Sequence, residues 1–258
     1  MSKSRSRPLA LLVVIVVLVG LAGAAYCWLA MPGGPRVPWE TQAASVKILE
    51  KHHVFVTSEK KDPLVLESKR VTTVTLRPTD LTDQDKKADV DEEVLRQLVN
   101  FSEIQTLDAS DCKVTNAHLR EFGRLTSLAS LVLRNTEVTD QGLAELQPLG
   151  NLRALYIDGT AITDAGLKDI AALRSLTNLE LSSTKVTDAG LKELVPLTNL
   201  KWLLLSNTAI TDAGLKELAA LPGLTRLTII RTKATPAGIA KLKQANSRLT
   251  IDVEPAAN

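Results

Sequence analysis

The sequence predicts an α/β solenoid, in which short parallel strands stack into a sheet on a concave side and short helices back them on a convex side. Three observations carry that prediction. From about Ile104 onward the chain repeats itself every 24 residues, with units opening at Leu128, Leu152, Leu176, Leu200 and Leu224. Each unit follows one pattern, L-x-x-L-x-L-x-x-T-x-[VI]-T-D-x-G-L-x-x-L-x-x-L-x-x, as in LTNLELSSTKVTDAGLKELVPLTN from Leu176. The chain is 45% apolar but only 3% aromatic, so its core is aliphatic. A fixed period of roughly 20–50 residues marks an architecture in which each unit buries its apolar face only against its neighbours.

The elements follow in chain order. Residues 1–7 form a basic tail with Lys3, Arg5 and Arg7. Residues 8–31 (PLALLVVIVVLVGLAGAAYCWLAM) carry no charge. About 20 such residues suffice to cross the hydrocarbon layer. Positive charge concentrates before the run, with Arg36 alone after it, an asymmetry that keeps the N-terminus inside and exports the rest. The run therefore reads as a single-pass transmembrane anchor in the cytoplasmic membrane. The alternative is a signal sequence cleaved near Ala22-Gly23-Ala24, leaving a secreted protein; the apolar run continues past that point, which favours the anchor. Residues 32–40 are a Pro/Gly linker. Residues 41–103 read as an N-terminal α+β cap and an atypical first repeat: a helix over Ala43–His52, a hairpin pairing Val54–Thr57 with Leu64–Leu66, and a first repeat strand at Val71, Val74 and Leu76. Residues 104–253 are the regular repeats, closed by a short strand at Leu249, Ile251 and Val253, and 254–258 are a polar tail.

Within one unit, Leu179 and Leu181 alternate with polar neighbours and point inward from a short strand. Thr184 stands at the corner after the strand, a column shared with Thr136, Thr160, Thr208, Thr232 and Cys112, where a small hydrogen-bonding side chain can satisfy loop backbone. Thr187 suits a helix N-cap. Asp188 falls in the first turn, where the helix dipole favours an anion. Pro236 occupies the same column in the last unit, a position tolerated because its missing N–H has no helical partner there. Leu191, Leu194 and Leu197 then line one helix face.

These columns resemble the cysteine-containing subclass of leucine-rich repeats, with threonine at the corner. The T-D-A-G-L variant at Thr163–Leu167, Thr187–Leu191 and Thr211–Leu215 is similar to repeats in exported bacterial proteins of unassigned function. The resemblance implies a binding module. No F-box segment accompanies it, so a role in ubiquitin ligation does not carry over.

Candidate chemistry is sparse. A net charge of +2 with interspersed signs leaves no footprint for nucleic acid. The acidic stretch Thr79–Glu93 offers oxygen ligands but lacks the turn glycine of a calcium loop and is interrupted by Lys86-Lys87. His52-His53 has no partner cluster for a metal. His118 reads as a surface residue. No phosphate-binding glycine loop and no nucleophile–base pair is present, so no enzyme activity, cofactor or metal is expected. The positive case rests on positions 3, 5, 7 and 8 of each unit, which point away from the core. They place Tyr156, Trp202, Leu204, Arg134, Glu180 and Arg226 on the concave sheet, with Arg153, Lys201 and Arg231 around them. Large aromatics beside arginines are the residue types that carry interface energy. The expectation is a membrane-tethered, exported module binding a protein or a glycan through this face. Two other readings stay open: a structural envelope spacer without a ligand, and a non-catalytic scaffold for an enzyme in another chain. Oligomeric state is not read from the sequence.

Overall fold

The computed structural model describes Ser45 and residues 55–59, 70–76, 89–90 and 92–253. The chain divides into Met1–Arg36 and Val37–Asn258, and every described element belongs to the second part. The apolar run 8–31, the linker 32–40, His52-His53, Leu64–Leu66 and most of Thr79–Glu93 lie outside the described residues. Among the described residues no helix is long and apolar enough to cross a membrane.

The described strands form one sheet in strict sequence order: β1 (Phe55–Glu59), β2 (Arg70–Thr75), β3 (Thr106–Asp108), β4 (Ser130–Val132), β5 (Ala154–Tyr156), β6 (Asn178–Glu180), β7 (Trp202–Leu204), β8 (Arg226–Thr228) and β9 (Thr250–Asp252). From β2 to β9 every pairing is parallel and in register by unit position, so Leu131, Leu155, Leu179, Leu203 and Leu227 stand in one row. Between them run α1 (Glu92–Leu98), α2 (Asn116–Phe122), α3 (Asp140–Leu143), α4 (Leu167–Ile170), α5 (Asp188–Leu191), α6 (Asp212–Leu218) and α7 (Pro236–Ala245). The expected parallel sheet backed by short helices is present. The core is a continuous aliphatic column in which Leu179, Leu181, Leu191, Leu194 and Leu197 are fully buried. In the unit from Leu176, α5 tightens into a 3-10 turn at Lys192–Leu194. Leucines three apart eclipse in that geometry, so the spacing Leu191–Leu194–Leu197 and the tightening agree.

The described partner of β1 is β2, antiparallel, with Phe55 opposite Thr75 and Val56 opposite Val74. β1 thus pairs with the first repeat strand, while its expected partner Leu64–Leu66 lies outside the described residues. An antiparallel neighbour satisfies the backbone groups that the first parallel strand would otherwise leave unpaired. Ser45 is helical and fully buried, and its hydroxyl donates to Gln97 Oε1 on α1 at 2.7 Å.

Two series of side-chain bonds recur along the array, one within each unit and one between units. At the corner, the hydroxyls of Thr136, Thr160, Thr184 and Thr232 donate to the carbonyl three residues back, at 2.6–3.0 Å. The residue before each corner threonine is left-handed: Asn135, Gly159, Ser183, Asn207 and Arg231, with φ between 52° and 68°. Asn and Gly tolerate that region best, and Ser183 and Arg231 hold it at a cost. The second ladder runs between units. Asp164 accepts the N–H of Thr187 at 2.7 Å and its hydroxyl at 2.6 Å. Asp140 does the same for Thr163, Asp188 for Thr211 and Asp212 for Thr235. Asn116 begins the series, accepting from Thr139 N–H at 3.0 Å and donating to its hydroxyl at 2.8 Å. The N-cap expectation also holds, since the Thr187 hydroxyl accepts from Ala189 N–H. The carboxylate of Asp188, however, serves the next unit as well as its own helix.

That ladder explains the glycine column. A Cβ on Gly190 would lie 2.8 Å from Leu167 Cδ1 and closer still to Asp164 Oδ1. His118 stands in the same column of the first regular unit, and it is half-buried rather than a plain surface residue. Its Nδ1 accepts the Thr115 N–H at 3.0 Å, and burial lowers its pKa. Cys112, in the corner column, is a buried free thiol whose pKa burial pushes up to about 11.

Candidate functional site

Because the strands are in register, unit positions 3 and 5 form two rows across the outward sheet face. Adjacent strands lie about 4.8 Å apart, so a long side chain reaches one or two strands sideways. The row at position 5 runs Asp108, Val132, Tyr156, Glu180, Leu204, Thr228 and Asp252. The row at position 3 places Asn178, Trp202 and Arg226 side by side.

The structure gathers five of the six expected residues into two groups and sets the sixth, Leu204, between them. In the first, Arg134 leaves the end of the β4 segment and lies over the Tyr156 ring, its guanidinium carbon 5.2 Å from the centroid. Its Nη2 donates to Glu180 Oε2 at 2.8 Å, two strands away. Its Nε is 3.1 Å from Asp158 Oδ1, where alignment falls short of a hydrogen bond; among the described residues no other group bonds that buried oxygen. Burial raises the pKa of Asp158, with Arg134 pulling the other way. Glu180 is raised by burial and then by the charge of Asp158. One guanidinium therefore serves two half-buried carboxylates. In the second group, Trp202 is 45% exposed. Arg226 covers its ring at 5.6 Å and pairs through Nε with Asp252 Oδ2 at 3.4 Å. Leu204 lies between Glu180 and Thr228, half-buried at the middle of the face.

Two residues of this arrangement escaped the sequence reading. Asp158 occupies position 7, recognised as outward but not followed along its column. Asp252 lies on the closing strand, where only the inward residues drew notice. Arg153 and Lys201 stand elsewhere than expected. They precede their strands and line an open groove on the return edge, so they do not surround the aromatics. No group of three or more histidine, cysteine or carboxylate side chains suited to a metal occurs among the described residues. Arg134, Asp158 and Glu180 can hold a charged or hydrogen-bonding partner, but they place no nucleophile beside a base.

Residues 151–171 and 172–195 each match the family model described as Leucine Rich repeat. Residues 151–195 are leucine-rich repeats. Among solved structures, the leucine-rich-repeat chain is similar to internalin C2 from Listeria monocytogenes, with TM-score 0.56 and 21% identity over 83% of this chain and 92% of that one. It is also similar to a leucine-rich-repeat protein from Leptospira interrogans, with TM-score 0.49 and 22% identity over 61% of this chain and 45% of that one. The likeness to internalin C2 is one of fold. Among curated proteins, none matches the leucine-rich-repeat chain in sequence.

Proposed function

We propose that this leucine-rich-repeat protein is a membrane-tethered, exported module that binds a protein or glycan partner through the outward face of its sheet. One observation carries the reading. Core, corner and ladder columns repeat from unit to unit, whereas positions 3, 5 and 7 do not, and there two arginine–aromatic stacks flank Leu204 on one continuous face. Exposed apolar surface edged by guanidinium and carboxylate groups is the composition of interface centres. Solenoids offer such a face because every unit contributes to it. Tethering and export rest on the uncharged run 8–31 and the basic residues before it.

The test is capture of partners from native envelope by the full chain, compared with the Tyr156→Ala, Trp202→Ala double variant. A partner retained in full by the double variant would remove the sheet face as the binding site. Topology is read separately: protease added outside spheroplasts digests an exported solenoid, and full protection reverses the orientation.

A further inference from the structure

The return edge of the solenoid, where each helix hands back to the next strand, is unused by the sheet-face reading and differs from it in charge. The segments 146–153, 170–177, 194–201 and 218–225 contain Arg153, Arg174 and Lys201 and no aspartate or glutamate, and Arg226, the next residue after the last of them, belongs to the sheet face. The opposite, corner edge carries both signs throughout, Asp158, Asp164 and Lys185 among them. Arg226 is engaged by Asp252. Arg153, Arg174 and Lys201 are exposed and form no ion pair with a described carboxylate. The Arg174 guanidinium donates to the Pro196 carbonyl at 2.8 Å, which lays it along the edge.

Between these cations the edge is indented. A groove of about 380 Å³ is lined by Arg153, Ser175, Thr177, Thr198, Asn199 and Lys201, with Gly223 at one end. Thr177 N–H bonds the Arg153 carbonyl and Lys201 N–H bonds the Thr177 carbonyl, both at 2.8 Å, so the three residues form a row. The backbones bearing the two cations are thus two strand spacings apart, about 10 Å, with hydroxyl and amide groups between and beside them.

We propose that this groove binds a linear acidic polysaccharide, its carboxylates held by Arg153 and Lys201 and its sugar hydroxyls by Thr198 and by Asn199 Oδ1, the Asn199 Nδ2 already donating to the Arg174 carbonyl at 3.0 Å. Charge complementarity gives the sign of the partner. The polar lining between separated cations fits a chain of hydroxyl-bearing rings. No lining residue is aromatic, so the stacking platform that single-stranded nucleic acid uses is missing from this groove. The site is separate from the sheet face and stands or falls without it.

The full chain in neutral-lipid nanodiscs is titrated with polygalacturonate, with dextran as the uncharged control and with oligothymidylate and phosphatidylglycerol vesicles as competing polyanions. The expected result is binding of polygalacturonate that weakens with added salt, falls about tenfold in the Arg153→Gln, Lys201→Gln double variant, each exposed charge contact contributing modestly, and is unchanged by Trp202→Ala. Equal melting temperatures of the two proteins show that the double variant is folded. If it melts lower, Lys201→Gln alone is read instead, with about a threefold loss expected. Unchanged binding by the variant, equal binding of dextran, or tighter charge-dependent binding of the vesicles or oligothymidylate would each overturn the proposal.

Discussion

Alanine at Gly190 puts a methyl group against the Asp164 carboxylate and Leu167 Cδ1, whereas alanine at Gly150 meets nothing within 4 Å. Gly190→Ala is expected to destabilise by roughly 1–3 kcal/mol, the usual range for overpacking, and Gly150→Ala to change stability little; equal losses in denaturant titrations would refute the packing account of the column. Asp188→Ala removes the acceptor of both Thr211 bonds. A loss of about 1–3 kcal/mol follows from charge-assisted bonds left unmade, and a cycle with Thr211→Val should show the two changes to be non-additive. The acids also differ in the sign of their pH dependence. Asp158 and Glu180 titrate above their free values when folded, so the native state holds protons more readily there and their contribution declines as pH rises through that window. Asp212 is depressed by its bonds from Thr235, so its contribution is present above the ordinary carboxylate range and is lost as pH falls through its folded value. Arg134→Met should raise the titrations of Asp158 and Glu180 further, and carboxyl NMR showing either one fall would contradict the pairing. The corner threonines were legible from their column. The partner of Asp188 was not, because a column shows what repeats without showing which position of the next unit stands opposite.

At the scale of elements, each strand from β3 to β9 is three residues long and depends on one inward aliphatic residue, Leu in β3–β8 and Ile251 in β9, with its flanking neighbours. Leu181, the second inward residue of its unit, is fully buried. Leu181→Ala is expected to cost about 2–5 kcal/mol, transfer and cavity terms together, and a measured loss near zero would place the side chain outside the core. Strand period, helix face and the N-caps at Thr187, Thr211 and Thr235 were readable, since alternation and threefold leucine spacing are local patterns. What escaped reading was non-local or conformational: β1 turning onto β2, and the left-handed residue before each corner. The second had a faint signal in Asp111, Asn135, Gly159 and Asn207, residue types that tolerate positive φ, but Ser183 and Arg231 obscure it. Of the candidate face, the rows were predictable from the period. The lateral reach of Arg134 past Tyr156 to Glu180 was not, because it depends on strand spacing and side-chain length together.

At the scale of the whole molecule, stability is a sum over units and their shared surfaces. Excising one full unit, Leu176–Asn199, leaves Asp164 facing Thr211, the residue in the column Thr187 held, and should yield a folded, shorter protein. Excising 12 residues instead breaks the inter-unit ladder, and a cooperative melt of that shorter-cut protein would count against register as the organising constraint. The inter-unit ladder also has two distinct ends. It opens with Asn116, which donates as well as accepts, and it stops at Pro236, which has no oxygen to offer a following threonine. A duplicated gene segment spliced in after the last unit would arrive with its threonine unanswered, whereas one copied from the interior would find acceptor and donor already facing it. A copied unit is therefore expected to be accommodated in the interior of the array at less cost than beyond the unit that carries Pro236.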